Sequence, residues 1–418
     1  MPPPDPPPAN IHKRLAAVDP AKRYQSPGVY VEEAGTATKV IQGVETGTAG
    51  FVGPALSGPV GQVSEALTSF LAFQAVYGDA PAITFSGPPA WTSRNYLGLA
   101  ARAFFENGGQ KLYVARVTSP DGKNTAPPTG SDYARALATL SRVSEVAVLA
   151  APGGTIAGFT GISSVAPVHA ALMEHVGQPG AYRFAVLDPP PNCSTSDIED
   201  LRASISSINA ALYYPWVTIS DPHTAAKPLA QINVPPSGSL CGIYARTDAQ
   251  QGVFKAPANQ PLAGAVGFER TIANLESDTL NALGINCLRS FTGRGNLVWG
   301  ARTISSDPEW KYVNIRRYFV YLEHSIDAGT QWAVFDPNNE RLWAAIRLTV
   351  NNFLYNEWRS GALLGSKPEQ AFFVKCDRTT MTQNDLDNGR LICEIGVAPL
   401  KPAEFIIFRI GQKTADAK

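Results

Sequence analysis

Apolar and polar positions follow two different rhythms along this chain. From about residue 111 to 285, short apolar runs at 111–117, 146–150, 184–187 and 216–219 are bounded by Pro, Gly or Asp, and stretches with helical spacing at 131–142, 165–176 and 197–211 lie between them. Strand and helix in alternation predict an α/β layer with a mainly parallel sheet. From residue 285 the order changes to strand candidates at 285–290 and 296–303, two helices, and strands at 371–376, 390–397 and 404–410, which reads as a separate α+β unit. The first of these helices, after Asn314, places Ile315, Tyr318, Phe319, Leu322 and Ile326 on one face, and the second places Leu342, Ile346, Val350 and Phe353 on one face. Asn338 or Asn339 is placed to cap the second helix and Gly361 to end it.

Upstream, 69–77 and 95–107 have helical spacing, the latter stopping at Asn107-Gly108-Gly109. Residues 1–25 are Pro-rich and polar, with polyproline II character and little to bury. Val29-Tyr30-Val31-Glu32 then reads as a strand with few neighbours of its own. At the other end, the strand Glu404-Phe405-Ile406-Ile407-Phe408-Arg409-Ile410 is apolar on both faces except at Arg409. It is expected to be covered on both sides, within its own domain or by donation to a neighbour's sheet edge. The pattern divides the chain into a tail (1–25), an N-terminal arm (26–49), a first part of the core (50–110), an α/β middle domain (111–284), an α+β domain (285–402) and a C-terminal arm (403–418).

Composition narrows the function. Lys plus Arg and Asp plus Glu both count 35, so no net field is available to hold nucleic acid or an acidic membrane, and a near-neutral chain lacks the self-repulsion that keeps copies apart. Five Cys residues, far apart and without a CxxC, suggest buried thiols rather than a disulfide framework or zinc site. No apolar run long enough for a signal peptide core or a membrane span is found, so synthesis in the cytosol without membrane insertion is expected. No Walker or dinucleotide loop, HExxH or EF-hand is present, so no cofactor or metal is expected. The one arrangement worth weighing for catalysis, Asp188 with Ser220-Asp221-Pro222-His223 at strand ends, has no GxSxG elbow and reads as ordinary turn chemistry. No catalytic residue is assigned; an α/β hydrolase-like enzyme is the competing reading.

Two features point to contacts. Tyr321, Trp343, Tyr355 and Trp358 fall off the apolar stripes of the C-terminal helices, as interface aromatics do. Arg316-Arg317 opens a helix, where the dipole disfavours cations. Either these guanidinium groups turn back to solvent, or carboxylates of this chain or of a neighbour hold them.

Ordered motifs over residues 286–412 resemble the contractile tail sheath family of myophages, R-type pyocins and extracellular contractile injection systems. They include Val298-Trp299-Gly300-Ala301-Arg302-Thr303, Asp307-Pro308-Glu309-Trp310, Tyr312-Val313-Asn314-Ile315-Arg316-Arg317, Phe335-Asp336-Pro337-Asn338, Ala371-Phe372-Phe373-Val374-Lys375-Cys376 and Pro402-Ala403-Glu404-Phe405. The resemblance implies a structural, non-enzymatic subunit with a subtilisin-like but non-proteolytic middle domain. It implies linking arms at Val29–Glu32 and at Phe405, Ile406, Ile407 and Phe408, added to a sheet of the C-terminal domain in neighbouring copies. We expect that receiving sheet at Leu297 to Thr303, with Val298, Trp299, Arg302, Arg316 and Arg317 at the interface. A C-terminal helix would touch an inner tube, here through Arg347, Glu357 and Arg359. The implied partners are copies of itself in hexameric rings, the tube protein, and baseplate and terminal cap proteins. The implied location is a virion or an extracellular or cell-attached particle; a static cap or baseplate part is a further alternative.

Overall fold

The computed structural model describes residues 39–87, 90–224 and 230–407; the described residues from Val40 onward belong to one compact unit. In chain order the strands are β1 (Ala49–Pro54), β2 (Ala82–Phe85), β3 (Trp91–Arg94), β4 (Leu112–Val117), β5 (Val148–Ala150), β6 (Phe184–Leu187), β7 (Ala210–Tyr214), β8 (Val217–Ser220), β9 (Gln231–Val234), β10 (Gln260–Pro261), β11 (Ala265–Phe268), β12 (Ile285–Phe291), β13 (Gly295–Trp299), β14 (Phe372–Lys375) and β15 (Glu394–Val397). The α-helices are α1 (Phe70–Tyr77), α2 (Tyr96–Glu106), α3 (Gly130–Leu140), α4 (Ile162–Gly177), α5 (Thr195–Ser204), α6 (Ser237–Gln251), α7 (Asn274–Ala282), α8 (Val313–Thr330), α9 (Glu340–Arg359), α10 (Pro368–Ala371) and α11 (Gln383–Asp387).

A mixed sheet of eight strands, in the order β10-β13-β12-β7-β6-β5-β1-β4, forms the centre. The six strands from β12 to β4 run parallel, and β13 and β10 add antiparallel at one edge. β5, β6 and β7 are buried at every residue, which is why their sequences are apolar without alternation. One face packs on α1, α2 and α6 through residues such as Phe73, Leu97, Phe104, Leu240 and Tyr244. The other packs on α3, α4, α5 and α7 through Leu137, Val168, Leu172, Ile198 and Leu280. Helices α2 and α6 approach so closely that a Cβ on Gly238 would lie 2.6 Å from Ala100 Cα, and one on Gly242 would lie 2.4 Å from the Phe104 carbonyl oxygen.

Several expectations need correction. Residues 210 and 211, read as the end of a helix at 197–211, open the central strand β7 instead, and the helix stops at Ser204. The run at 216–219 belongs to β8, in a separate antiparallel sheet of order β11-β8-β9. Strands β12 and β13, expected in a separate C-terminal unit, extend the large sheet instead. The third core layer does lie in the C-terminal part, where Tyr318 and Leu322 of α8, Leu342, Ile346, Val350 and Phe353 of α9, and Ala371 and Cys376 pack together. Asn339 caps α9 by accepting from the Leu342 N–H at 3.1 Å, and Gly361, with φ of 83°, follows its end. Residues 404–407 are not in a strand. The arm residues Val29, Tyr30, Val31, Glu32 and Phe408 lie outside the described residues.

Candidate assembly surfaces

The arginine pair finds its carboxylates inside the chain. Arg317, 3% exposed, donates through Nη1 and Nη2 to the two oxygens of Asp248 on α6 at 2.9 and 2.6 Å. Its Nη2 also reaches the Thr46 carbonyl at 3.0 Å, and its guanidinium lies 4.7 Å from the Tyr244 ring centre. Such a planar fork suits bidentate pairing, and it offsets both burial and the unfavourable helix start. Arg316 donates to Asn209 Oδ1 at 2.7 Å and to Glu323 at 3.0 Å, and stacks over Trp310.

Arg302 makes the third fork. Its Nε and Nη2 donate to Glu404 Oε1 and Oε2 at 2.9 and 2.6 Å, and its Nη1 to the Asn281 carbonyl at 2.6 Å. Burial works against ionisation of Glu404, but the bonds and charge of Arg302 outweigh it and hold the carboxyl below its usual range. Directly after this clamped residue, Phe405, Ile406 and Ile407 are 72%, 73% and 77% exposed.

The strand holding Val298 and Trp299 is flanked on both sides. Val298 pairs with Leu288 of β12 and with Gln260 of β10, leaving no open edge there for an incoming strand. In the C-terminal part, β14 and β15 form an antiparallel pair with no further strand partner among the described residues, as β2 and β3 do in the N-terminal part. Phe372 and Val374 turn into the C-terminal core while Phe373 is 57% exposed, and Ile392 and Ile395 are exposed nearby.

The three residues expected to touch a tube separate. Glu357 accepts from the hydroxyls of Tyr318 and Tyr321 at 3.1 and 2.9 Å, and burial raises its pKa. Arg347 is half-buried and donates to the Cys376 carbonyl at 3.1 Å. Arg359 alone is exposed, on a stripe of α9 with Arg341, Leu348, Asn352 and Tyr355. Of the four aromatics expected at a surface, Trp343 is buried, with its indole N–H on Asn338 Oδ1 at 2.7 Å, and Tyr321 is held by Glu357. Tyr355 is exposed.

The serine, histidine and acid groups of the α/β layer are not arranged for catalysis. Asp188 is buried and accepts from the Ser237 hydroxyl and N–H at 2.6 and 2.8 Å and from the Gly153 N–H at 3.2 Å. His169 bonds the Asp188 backbone carbonyl rather than a serine, and His223 sits 3.5 Å from Asp79. Ser220, the serine of the expected arrangement, ends β8, and Asp221 accepts from the His223 backbone N–H at 2.9 Å as a turn residue does, whereas a nucleophile needs a base held on its hydroxyl. The sequence had not singled out Ser237; it lies at the start of α6, a helix with no amphipathic stripe to reveal it. The described residues hold no cluster of His, Cys, Asp or Glu suited to a metal, and no helix among them is long and apolar enough to cross a membrane. The five Cys residues are free, four of them buried and Cys393 half-buried.

Comparison with known proteins agrees with this arrangement. Residues 126–304 match the phage tail sheath protein central domain, and residues 305–413 match the phage tail sheath C-terminal domain. A putative prophage major tail sheath protein of Pseudomonas aeruginosa is 26% identical over 231 residues, covering 54% of this chain and 57% of the relative, so the chain spans little more than half of that protein's length. The helical sheath of the anti-feeding prophage in its contracted state superposes with a TM-score of 0.73 at 30% identity, covering 93% of this chain and 100% of the other. A chain in the baseplate structure of the same particle gives 0.73 at 29% identity, covering 94% and 100%. On these matches, which together take in most of its length, the chain belongs to the phage tail sheath family.

Proposed function

We propose that this chain is a contractile sheath subunit, which joins copies of itself in stacked hexameric rings around an inner tube and shortens as a lattice to drive the tube through a target envelope. The observation that carries this reading is the isolated β14–β15 pair. Two strands alone are marginal in water, and their free backbone groups and exposed Phe373 and Ile395 are a template for added strands. In this reading the donors are the arms at 29–32 and 405–408 of neighbouring copies. The receiving sheet is β14–β15 rather than 297–303, because β13 already has a neighbour on each side.

The remaining parts follow the same logic. The subtilisin-like middle domain faces outward and the C-terminal domain inward, and the exposed stripe of α9, with Arg359 in place of Arg347 and Glu357, meets the tube. Because β12 and β13 continue the large sheet, a domain boundary near 304 is better supported than one at 285. Contraction draws on free energy stored in a bistable lattice rather than on hydrolysis. Baseplate and cap proteins meet the ends of the assembly in a phage tail or an extracellular particle. The likeness to a baseplate chain favours a second reading, a ring fixed at the base.

Expression of the unmodified chain, examined by negative-stain microscopy, tests the proposal. Long tubes are expected, and removal of residues 1–33 should abolish them while leaving the circular dichroism unchanged. Tubes formed equally well without those residues refute the arm assignment; single rings that never lengthen favour the fixed basal ring.

A further inference from the structure

Both ends of the described chain are fastened to α8 or to the residues that lead into it. Arg317, Tyr321, Ser325 and Gly329 stand four residues apart on α8 and so form one row. Residues 41–46 lie along it. Arg317 holds the Thr46 carbonyl, and the Val44 N–H donates to Ser325 Oγ at 3.1 Å. Buried Ile41 occupies the space over Gly329, where a Cβ would fall 2.6 Å from Ile41 Cγ1, and the Tyr321 hydroxyl covers Gly43, where a Cβ would fall 2.1 Å from it. The lengths agree: twelve helical residues rise about 18 Å, and five near-extended residues span about 17 Å. At the start of α8, Asn314 donates to the Leu400 carbonyl at 3.2 Å, Tyr312 to Glu404 at 3.2 Å, and Arg302 forks the same Glu404.

We infer that α8 is the strut joining the two chain ends, so that tension entering through residues 41–46 passes along this one helix and leaves through Glu404. The inference rests on the proposal that the ends link neighbouring copies. Two Arg–carboxylate forks flank the path: the buried Arg317–Asp248 ties the helix to α6, and the part-buried Arg302–Glu404 ties the C-terminal exit to the segment before α8. Anchors in series have a signature that independent anchors lack, because breaking either interrupts the whole path.

The test uses the full chain with Ser325→Ala or Gly329→Ala at one root, Glu404→Gln at the other, and the pairs combined. In unassembled protein, either α8 variant should speed amide exchange at 41–46 roughly tenfold, and Glu404→Gln should do the same at 400–407, with β5 to β7 unchanged. In tube formation each single variant should shorten the tubes, and the pair should do no worse than the stronger single. Multiplied losses in the pair overturn the strut, as do tubes of normal length from a variant whose exchange has accelerated. Unchanged exchange shows that the row does not hold the segment, and overturns it too. If the unmodified chain forms no tubes, the sheath reading itself fails, and the exchange data alone decide on the row.

Discussion

Replacing Asp248 by Ala would leave Arg317 almost fully enclosed with its charge unpaired. The Thr46 carbonyl and the Tyr244 ring would remain as partners, but neither carries a full negative charge, and Thr46 Oγ1 would lose the acceptor it has at 2.7 Å. Removing one member of a buried ion pair typically costs about 3–5 kcal/mol, most of it the desolvation of the partner left behind. With a urea dependence of about 3 kcal/mol per molar, the unfolding midpoint of the unassembled chain should fall by roughly 1–1.7 M. The double variant Asp248→Leu with Arg317→Met removes both charges and should recover more than half of that loss, because replacing a buried pair by apolar groups is often neutral. Urea titration followed by tryptophan fluorescence reads both. A midpoint shift below about 0.3 M for Asp248→Ala would correspond to about 1 kcal/mol, the scale of an exposed pair, and would refute the view that the fork is desolvated. So would a double variant less stable than the single.

Two further outcomes follow from buried groups. Burial holds His169 and His175 at about 4, below the usual 6.5, so the unfolded chain binds more protons in that window and stability should fall as pH drops from 6.5 to 4. Burial pushes Asp188 up to about 7, which acts with the opposite sign: its contribution is present below about 4 and is lost as pH rises through 7. Urea midpoints between pH 4.5 and 8 should therefore fall more steeply on acidification in Asp188→Asn than in the unmodified chain, and parallel curves would contradict this. Gly242→Ala forces a methyl group against the Phe104 carbonyl and should destabilise by about 1–3 kcal/mol, whereas an exposed Gly177→Ala on α4, with open space around it, should not destabilise; thermal melts compare the two.

Where local pattern decides structure, the sequence was readable. α8, α9, β6 and β12 each combine a clear period or a bounded apolar run with turn residues at their ends, and the cap of α9 was narrowed to Asn338 or Asn339, of which Asn339 makes the bond. β7 was lost because its first two residues, Ala210-Ala211, are good helix formers and neither Pro nor Gly marks the end of α5 in residues 205–209. α6 was missed for a related reason. It is buried on nearly all sides, packed on α2 through Gly238 and Gly242, and so shows no polar face. For the arginines, the helix-dipole argument identified an anomaly but not its resolution. Asp248 is 69 residues from Arg317, and Glu404 is 102 from Arg302, distances over which no periodicity speaks.

The order of strands in the large sheet bears on how the chain is made. β1 sits between β4 and β5, while β12, more than 230 residues later, must dock on β7. Parallel, long-separation pairing is slow to form, and the apolar edge of β7 stays uncovered on the ribosome until β12 emerges. Arg317, which completes the fork with Asp248 and holds Thr46, emerges later still. The N-terminal segment at 41–46 is therefore fastened only after the sheet can close, when the fold is nearly finished.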